Sequence, residues 1–195
     1  MSSPVRLPAT TTAATANSVR VPIDCNTLQE AVNRVHGKSR LTTIVLGKGK
    51  HVVAVYKNGK GRDSNTLVIP SAMNIVGDPE VPKEEIWVVG GVKFKRGIQG
   101  NCHLQHLTLR QAKGIGVSGL SSFTMDDVLV EHCRLSGVSA NGTGIVGRCT
   151  NVEVWNCGRS GVLASDGASI TLIGAKTTVD YNCFKGNSGY GLKVY

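Results

Sequence analysis

Apolar residues alternate with polar ones along most of this chain, in runs of four to six cut by glycine and turn-forming residues. Two of these runs say nearly the same thing. "VLVEHCRLSGV" (128–138) and "VEVWNCGRSGV" (152–162) share two alternating aliphatic positions, a Cys three residues on, and a closing Gly-Val. "LTLRQAKGIGV" (107–117) fits the same skeleton with Ala112 at the cysteine position. "VDYNCFKGNSGYGL" (179–192) fits it loosely, with Cys183 displaced by one and extra residues before Gly191. The repeats start at Leu107, Val128, Val152 and Val179, spaced by 21, 24 and 27 residues. A period of that size marks stacked supersecondary units, none of which can bury its apolar face alone.

Each period holds three extended pieces, clearest in "NVEVWNC" (151–157), "GVLAS" (161–165) and "SITLIG" (169–174). Strands this short, three to a period, suit a coil in which each strand pairs with its counterpart one turn away, about 4.8 Å distant. The predicted fold is all-β: a right-handed, single-stranded parallel β-helix of about six coils over residues 41–195, its hand taken from the general rule for parallel crossovers. A leucine-rich horseshoe is excluded, because its signature is missing and no repeat has room for a helix.

Before the first coil, "NTLQEAVNRVHGK" (26–38) switches to helical spacing. Leu28, Ala31, Val32 and Val35 form one apolar face, Thr27 and Glu30 make a capping box, and Gly37 is the expected C-cap. This helix should lie apolar face down on the first coil and close an end that would otherwise expose core and unpaired backbone. The expected division is a tail over 1–20, a capping segment over 21–40 and the β-helix over 41–195. "GYGLKVY" breaks off inside a strand-like pattern, which suggests end-to-end or side-by-side association of copies, a further module, or a frayed last coil.

The capping helix, the "TTIVLGKGKHVV" that follows it (42–53), and the repeats closing in Gly-Val together resemble the right-handed parallel β-helix proteins of the pectate-lyase-like superfamily, in their short-repeat form. The chain is also similar to β-helix proteins of single-celled algae. The resemblance covers about residues 21–195. It implies carbohydrate chemistry or carbohydrate binding, as in many members, or pure scaffolding, as in others. The catalytic motifs of the enzymatic families are not matched. Asp126-Asp127 alone hints at a calcium-binding aspartate cluster, and "GDPE" (77–80) shares two letters with the epimerase motif Asp-Pro-His-Asp.

Composition adds three constraints. The net charge of +9, from 22 basic and 13 acidic residues, favours acidic partners such as an acidic polysaccharide; nucleic acid is disfavoured because charge is its only support. No stretch is long and apolar enough for a membrane span. Six cysteines invite three disulfides, but Cys133 and Cys157 share their column with Ala112, and Cys149 shares one with Leu104 and Met125. A position that accepts Ala, Leu or Met asks for apolar filler, not for a metal ligand or a redox partner. No cofactor and no metal site is therefore expected. Reduced thiols and the absence of a secretory signal favour a cytoplasmic setting, although residues 1–20 have a transit-peptide-like composition.

Candidate chemistry follows from strand alternation. With Val128, Val130, Val152 and Val154 inward, the outward positions read Thr108, Leu129, Glu153 and Asp180 in one column, and Arg110, Glu131, Trp155 and Asn182 in the next. An outward Trp among acids and an Arg can stack on and hydrogen-bond a sugar ring. Glu131, Glu153 and Asp180 are the catalytic candidates, at a spacing compatible with a glycosidic carboxylate pair. Arg110, Glu131, Glu153, Trp155, Asp180 and Asn182 form the candidate binding set. The expected function is a non-catalytic scaffold binding carbohydrate or a protein partner on this sheet; the alternative is a polysaccharide lyase, glycoside hydrolase or uronate epimerase with a divergent site.

Overall fold

A computed structural model describes residues 17–38, 40–180, 182–183 and 191–195. The chain runs β1 (Ser18–Val21), α1 (Leu28–Gly37), β2 (Thr43–Leu46), β3 (Gly49–Val52), then a short hairpin of β4 (Tyr56–Lys57) and β5 (Asp63–Ser64). It continues through β6 (Thr66–Ile69), β7 (Asn74–Gly77), a single 3-10 turn (Lys83–Glu85), β8 (Ile86–Val89), β9 (Gly91–Phe94) and β10 (Cys102–Arg110). Next come β11 (Val117–Gly119), β12 (Phe123–Glu131), β13 (Val138–Asn141), β14 (Val146–Thr150) and β15 (Glu153–Trp155). The last strands are β16 (Val162–Ser165), β17 (Ser169–Ile173), β18 (Thr178–Asp180) and β19 (Leu192–Val194).

These strands stack into three faces. The first is β1-β2-β7-β10-β12-β14-β17, through the leading halves of β10 and β12. The second is β3-β8-β10-β12-β15-β18, through their trailing halves. The third is β6-β9-β11-β13-β16-β19. Among the described residues every pairing within a face is parallel, and only β4 and β5 pair antiparallel. The protein is thus a parallel β-solenoid of about seven turns; the six expected over residues 41–195 correspond to β2-β7-β10-β12-β14-β17 on the first face. The additional rung is Ser18–Val21, which pairs with β2 ahead of the helix and straddles the boundary between the expected tail (1–20) and capping segment (21–40). Residues 1–16 of that tail lie outside the described residues.

The corners are set by single left-handed residues stacked coil on coil. His106, Asp127 and Asn151 (φ 52°, 50° and 51°) turn the chain from the first face to the second. Gln111, His132 and Asn156 (φ 56°, 52° and 49°) turn it onward to the third. A polar side chain that can bond locally tolerates this conformation better than a branched apolar one. Because pairing continues across the bend, β10 and β12 remain nine-residue strands, where sequence breaks alone suggested shorter pieces.

Inside, like stacks on like. Val19, Ile44, Ile75, Leu104, Met125, Cys149 and Leu172 form one ladder, and Leu67, Val92, Val117, Val138 and Val162 another. Most of these side chains are 0–5% exposed, and each is worth about 1.5–3 kcal/mol of burial. Cys133 and Cys157 sit in this core with Ala112, at 2% and 0% exposure, and all six cysteines are free thiols. Burial pushes the Cys102 thiol up to about 11 and the Cys149 thiol up to about 12, so neither is a thiolate near neutrality. They fill space.

Helix α1 follows its predicted pattern: Leu28, Ala31, Val32 and Val35 are buried against β1 and β2. Thr27 Oγ1 accepts from the Glu30 backbone N–H at 3.1 Å, while the Glu30 carboxylate reaches one residue further back than expected, to the Asn26 N–H at 3.2 Å. Gly37 is still helical; Lys38 is the C-cap.

The repeated Gly-Val is a clearance requirement. A Cβ on Gly116 would stand 2.6 Å from the Gly137 carbonyl oxygen and 2.8 Å from Cys133 Sγ. One on Gly137 would stand 2.3 Å from Val154 Cγ1 and 2.8 Å from the Gly161 carbonyl oxygen. Neither gap exists between real atoms, so the coils would have to separate. Gly137→Ala is therefore expected to cost about 1–3 kcal/mol, read as a lowered urea midpoint. Gly59→Ala, whose added Cβ meets nothing within 4 Å, should leave the midpoint unchanged.

Candidate functional site

The second face carries the outward residues singled out from sequence, in a register that differs in one place. Thr108 opposes Leu129, and Leu129 opposes Glu153, as alternation requires. Trp155, however, opposes Asp180, which therefore joins the Arg110–Glu131–Trp155 column two residues from its expected place. Thr178 takes the position beside Glu153. Asn182 is not an outward rung at all: its side chain accepts from the Cys157 N–H at 2.9 Å and donates to the Val154 carbonyl at 3.1 Å. It closes backbone hydrogen bonds where the last coil departs from the period.

The carboxylates of this face are already engaged. Arg110 pairs with Glu131 at 2.9 Å and lies over the Trp87 ring at 5.1 Å, while the other Glu131 oxygen is 3.6 Å from His132 Nε2. Glu153 is held by Lys83 at 2.9 Å. Lys83 comes from a strap, residues 78–85, that crosses the corner between the first and second faces. Its Nζ also binds Asp127 at 2.7 Å, its carbonyl accepts from the Thr108 hydroxyl at 3.0 Å, and its side chain is 8% exposed. His106 completes the clasp, with Nδ1 2.7 Å from the second Asp127 oxygen and Nε2 2.8 Å from the Val81 carbonyl.

Both nitrogens of His106 face acceptors, so only the doubly protonated ring satisfies the site. Burial works against that charge, but the bonds to Asp127 and Val81 outweigh it, and the imidazole titrates above its ordinary value. Asp127 shows the mirror image: burial raises its pKa, Lys83 and His106 lower it, and the net direction is down. Lys83 is likewise held above its usual value despite burial, by its two carboxylate partners. Alternation did not find this network, because His106 and Asp127 occupy corners and Lys83 sits in a turn. The sequence signal available was the Asp126-Asp127 pair beside a basic residue in an adjacent turn.

The first face is different: among the described residues it is open and unclasped. Its outward positions form two polar ladders, Thr43–Asn74–His103–Thr124–Arg148–Thr171 and, beside it, Gln105–Asp126–Thr150. All of these except Thr171 line a shallow groove of about 530 Å³. Bonds run along the ladder. Asn74 donates to Thr43 Oγ1 at 3.2 Å, Asn101 donates to Thr124 Oγ1 at 3.2 Å, and His103 Nδ1 lies 2.7 Å from that same hydroxyl. Asp126 and Arg148, both lining the groove, have no side-chain hydrogen bond or ion pair among the described residues. The alternation around Leu104, Met125 and Cys149 carried this signal: His103, Gln105, Thr124, Asp126, Arg148 and Thr150 are the polar halves of those strands.

Among the described residues no group of three or more His, Cys, Asp or Glu side chains is arranged to hold a metal ion, and no helix is long and apolar enough to cross a membrane. No family model, curated protein or solved structure matches the chain.

The clasp makes stability depend on pH. The raised His106 value gives a contribution fully present below about pH 6.5 and lost as pH climbs through the higher folded value. The lowered Asp127 value gives one present above pH 3.8 and lost below it. Thermal midpoints measured from pH 5 to 9 should fall on the alkaline side in the native chain, and His106→Gln should flatten that slope. Lys83→Met should cost about 1–3 kcal/mol at pH 6. This is less than a fully buried pair, because both carboxylates keep part of their surface in water.

Proposed function

We propose that this protein is a non-catalytic β-solenoid that binds an extended carbohydrate chain along the groove of its first face. One observation carries the reading. A continuous ladder of hydroxyl, amide and imidazole groups repeats rung by rung, and Asp126 and Arg148 stand in it without partners. A polymer that repeats its hydroxyls along an extended backbone matches a surface that repeats its donors and acceptors along a solenoid. Membership of the pectate-lyase-like superfamily is part of the same proposal, supported by the solenoid architecture and the helix over its first coil.

The catalytic alternative, a lyase, hydrolase or epimerase, finds less support. Glu131 and Glu153 are bound to Arg110 and Lys83, which leaves neither in a position to act as a general acid. Arg110, Glu153 and Asn182 serve the architecture on this reading. Trp155, 38% exposed beside Asp180, is an accessory stacking surface at the edge of the second face.

Binding is tested on a glycan array of neutral and uronate polymers, followed by titration of the best ligand. Arg148→Ala and Asp126→Ala should each weaken binding about tenfold, or ~1.4 kcal/mol. A reducing-end and unsaturated-product assay on the same ligands should show no turnover. Turnover that disappears in Glu131→Gln or Glu153→Gln would establish the enzymatic reading instead.

A further inference from the structure

A second recessed site lies on the opposite flank, where the β4–β5 hairpin leans over the corner between the second and third faces. It is a cleft of about 390 Å³. Lys60, Arg62 and Asp63 enter it from the hairpin, and Lys113, Arg134 and Arg159 from three successive coils. The coil ladder fixes the second group. The Arg134 N–H donates to the Ala112 carbonyl at 2.9 Å, which sets Arg134 over Lys113, and the Arg159 N–H donates to the Leu135 carbonyl at 3.3 Å, one rung further on. Asn65, 4% exposed, locks the hairpin root to this corner. Its amide donates to the Gln111 carbonyl at 3.1 Å and its oxygen accepts from the Lys113 N–H at 2.7 Å.

Five cations and one carboxylate share this cleft. Asp63 is already bound to Lys57 at 2.6 Å and to Lys113 at 3.4 Å. The side chains of Lys60, Arg62, Arg134 and Arg159 have no hydrogen bond or ion pair among the described residues. Like charges gathered on a rigid corner repel, and the single carboxylate, Asp63, is shared between Lys57 and Lys113. That contrasts with the second face, where Arg110 and Lys83 have carboxylate partners. Guanidinium forks recognise planar arrays of oxygen acceptors, and three of them converging exceed what a two-oxygen carboxylate can use. The hairpin wall also confines the space to a compact ligand.

We propose that this cleft binds a compact ligand bearing tetrahedral oxyanion esters, phosphate or sulfate, independently of the glycan groove on the first face. The full-length chain is titrated calorimetrically with inorganic pyrophosphate and with sucrose octasulfate at about 0.15 M salt. Submillimolar binding of either probe is expected, and the tighter one identifies the ester. The double variant Arg134→Ala/Arg159→Ala should weaken it by about tenfold or more, with Arg62→Ala on the hairpin as a separate test should the double variant misfold. Arg134→Lys/Arg159→Lys should fall between, keeping the charge and losing the forks. Arg148→Ala, on the other face, should bind as the native chain does. The proposal is overturned if neither probe binds, or if Arg148→Ala weakens binding as much as the corner variants. It is equally overturned if a duplex DNA oligomer displaces the probe with a steep salt dependence that no single arginine governs, since that is diffuse surface charge.

Discussion

Everything in this protein depends on how closely one coil can approach the next. A parallel ladder holds successive strands at about 4.8 Å, and every coil must keep nearly the same outline for the ladder to continue around the corners. The Gly116 and Gly137 positions show how tight the fit is, since the space a Cβ would need is already filled by the carbonyl and the aliphatic side chains of the neighbouring turn. From that single constraint follow the like-on-like interior, the repetition of Gly-Val, and cysteines packed as small apolar residues. The stacked left-handed corners follow as well, because a bend in one coil has to be matched in the next.

That constraint is also why so much of the interior was legible. Ala112, Cys133 and Cys157 fall at one height in successive repeats, and so do Leu104, Met125 and Cys149, so sequence spacing translates directly into contact. The apolar face of α1 was equally readable from its helical period. What escaped was everything the period does not govern. The displacement of Asp180 by two residues arises where the last repeat lengthens, and Asn182 turns to backbone hydrogen bonding at that same irregularity. The extra rung of β1 was hidden because the intervening helix interrupts the pattern. Lys83 was invisible for a plainer reason: a strap crosses the solenoid, so its partners lie 44 and 70 residues away and in no repeat relation to it.

The candidate site was half legible for a related reason. Alternation identifies which residues point outward but not which outward face remains open. On the second face the strap and the Arg110–Trp87–Glu131 cluster cover or neutralise the very side chains whose types looked most chemical. Residue type and availability therefore point in opposite directions. Trp, Glu and Arg together suggest a site, yet in this setting they mostly satisfy one another. Thr, Asn, His and Gln on the first face look bland and are accessible.

Through the middle turns the interior is filled by buried side chains, so the variation from turn to turn lies on the faces and corners. The three outward regions differ in charge balance. Where cations and carboxylates match, as around Lys83 and Arg110, the surface consolidates the rungs. Where polar groups are mostly neutral and repeat with the coil, as along the first face, the surface suits an extended, repeating ligand. Where five cations gather around one shared carboxylate on a corner pinned by Asn65, the surface suits a compact anion. One stacking rule thus yields three chemically distinct exteriors, because the outward position of each rung is free to vary while the inward one is not.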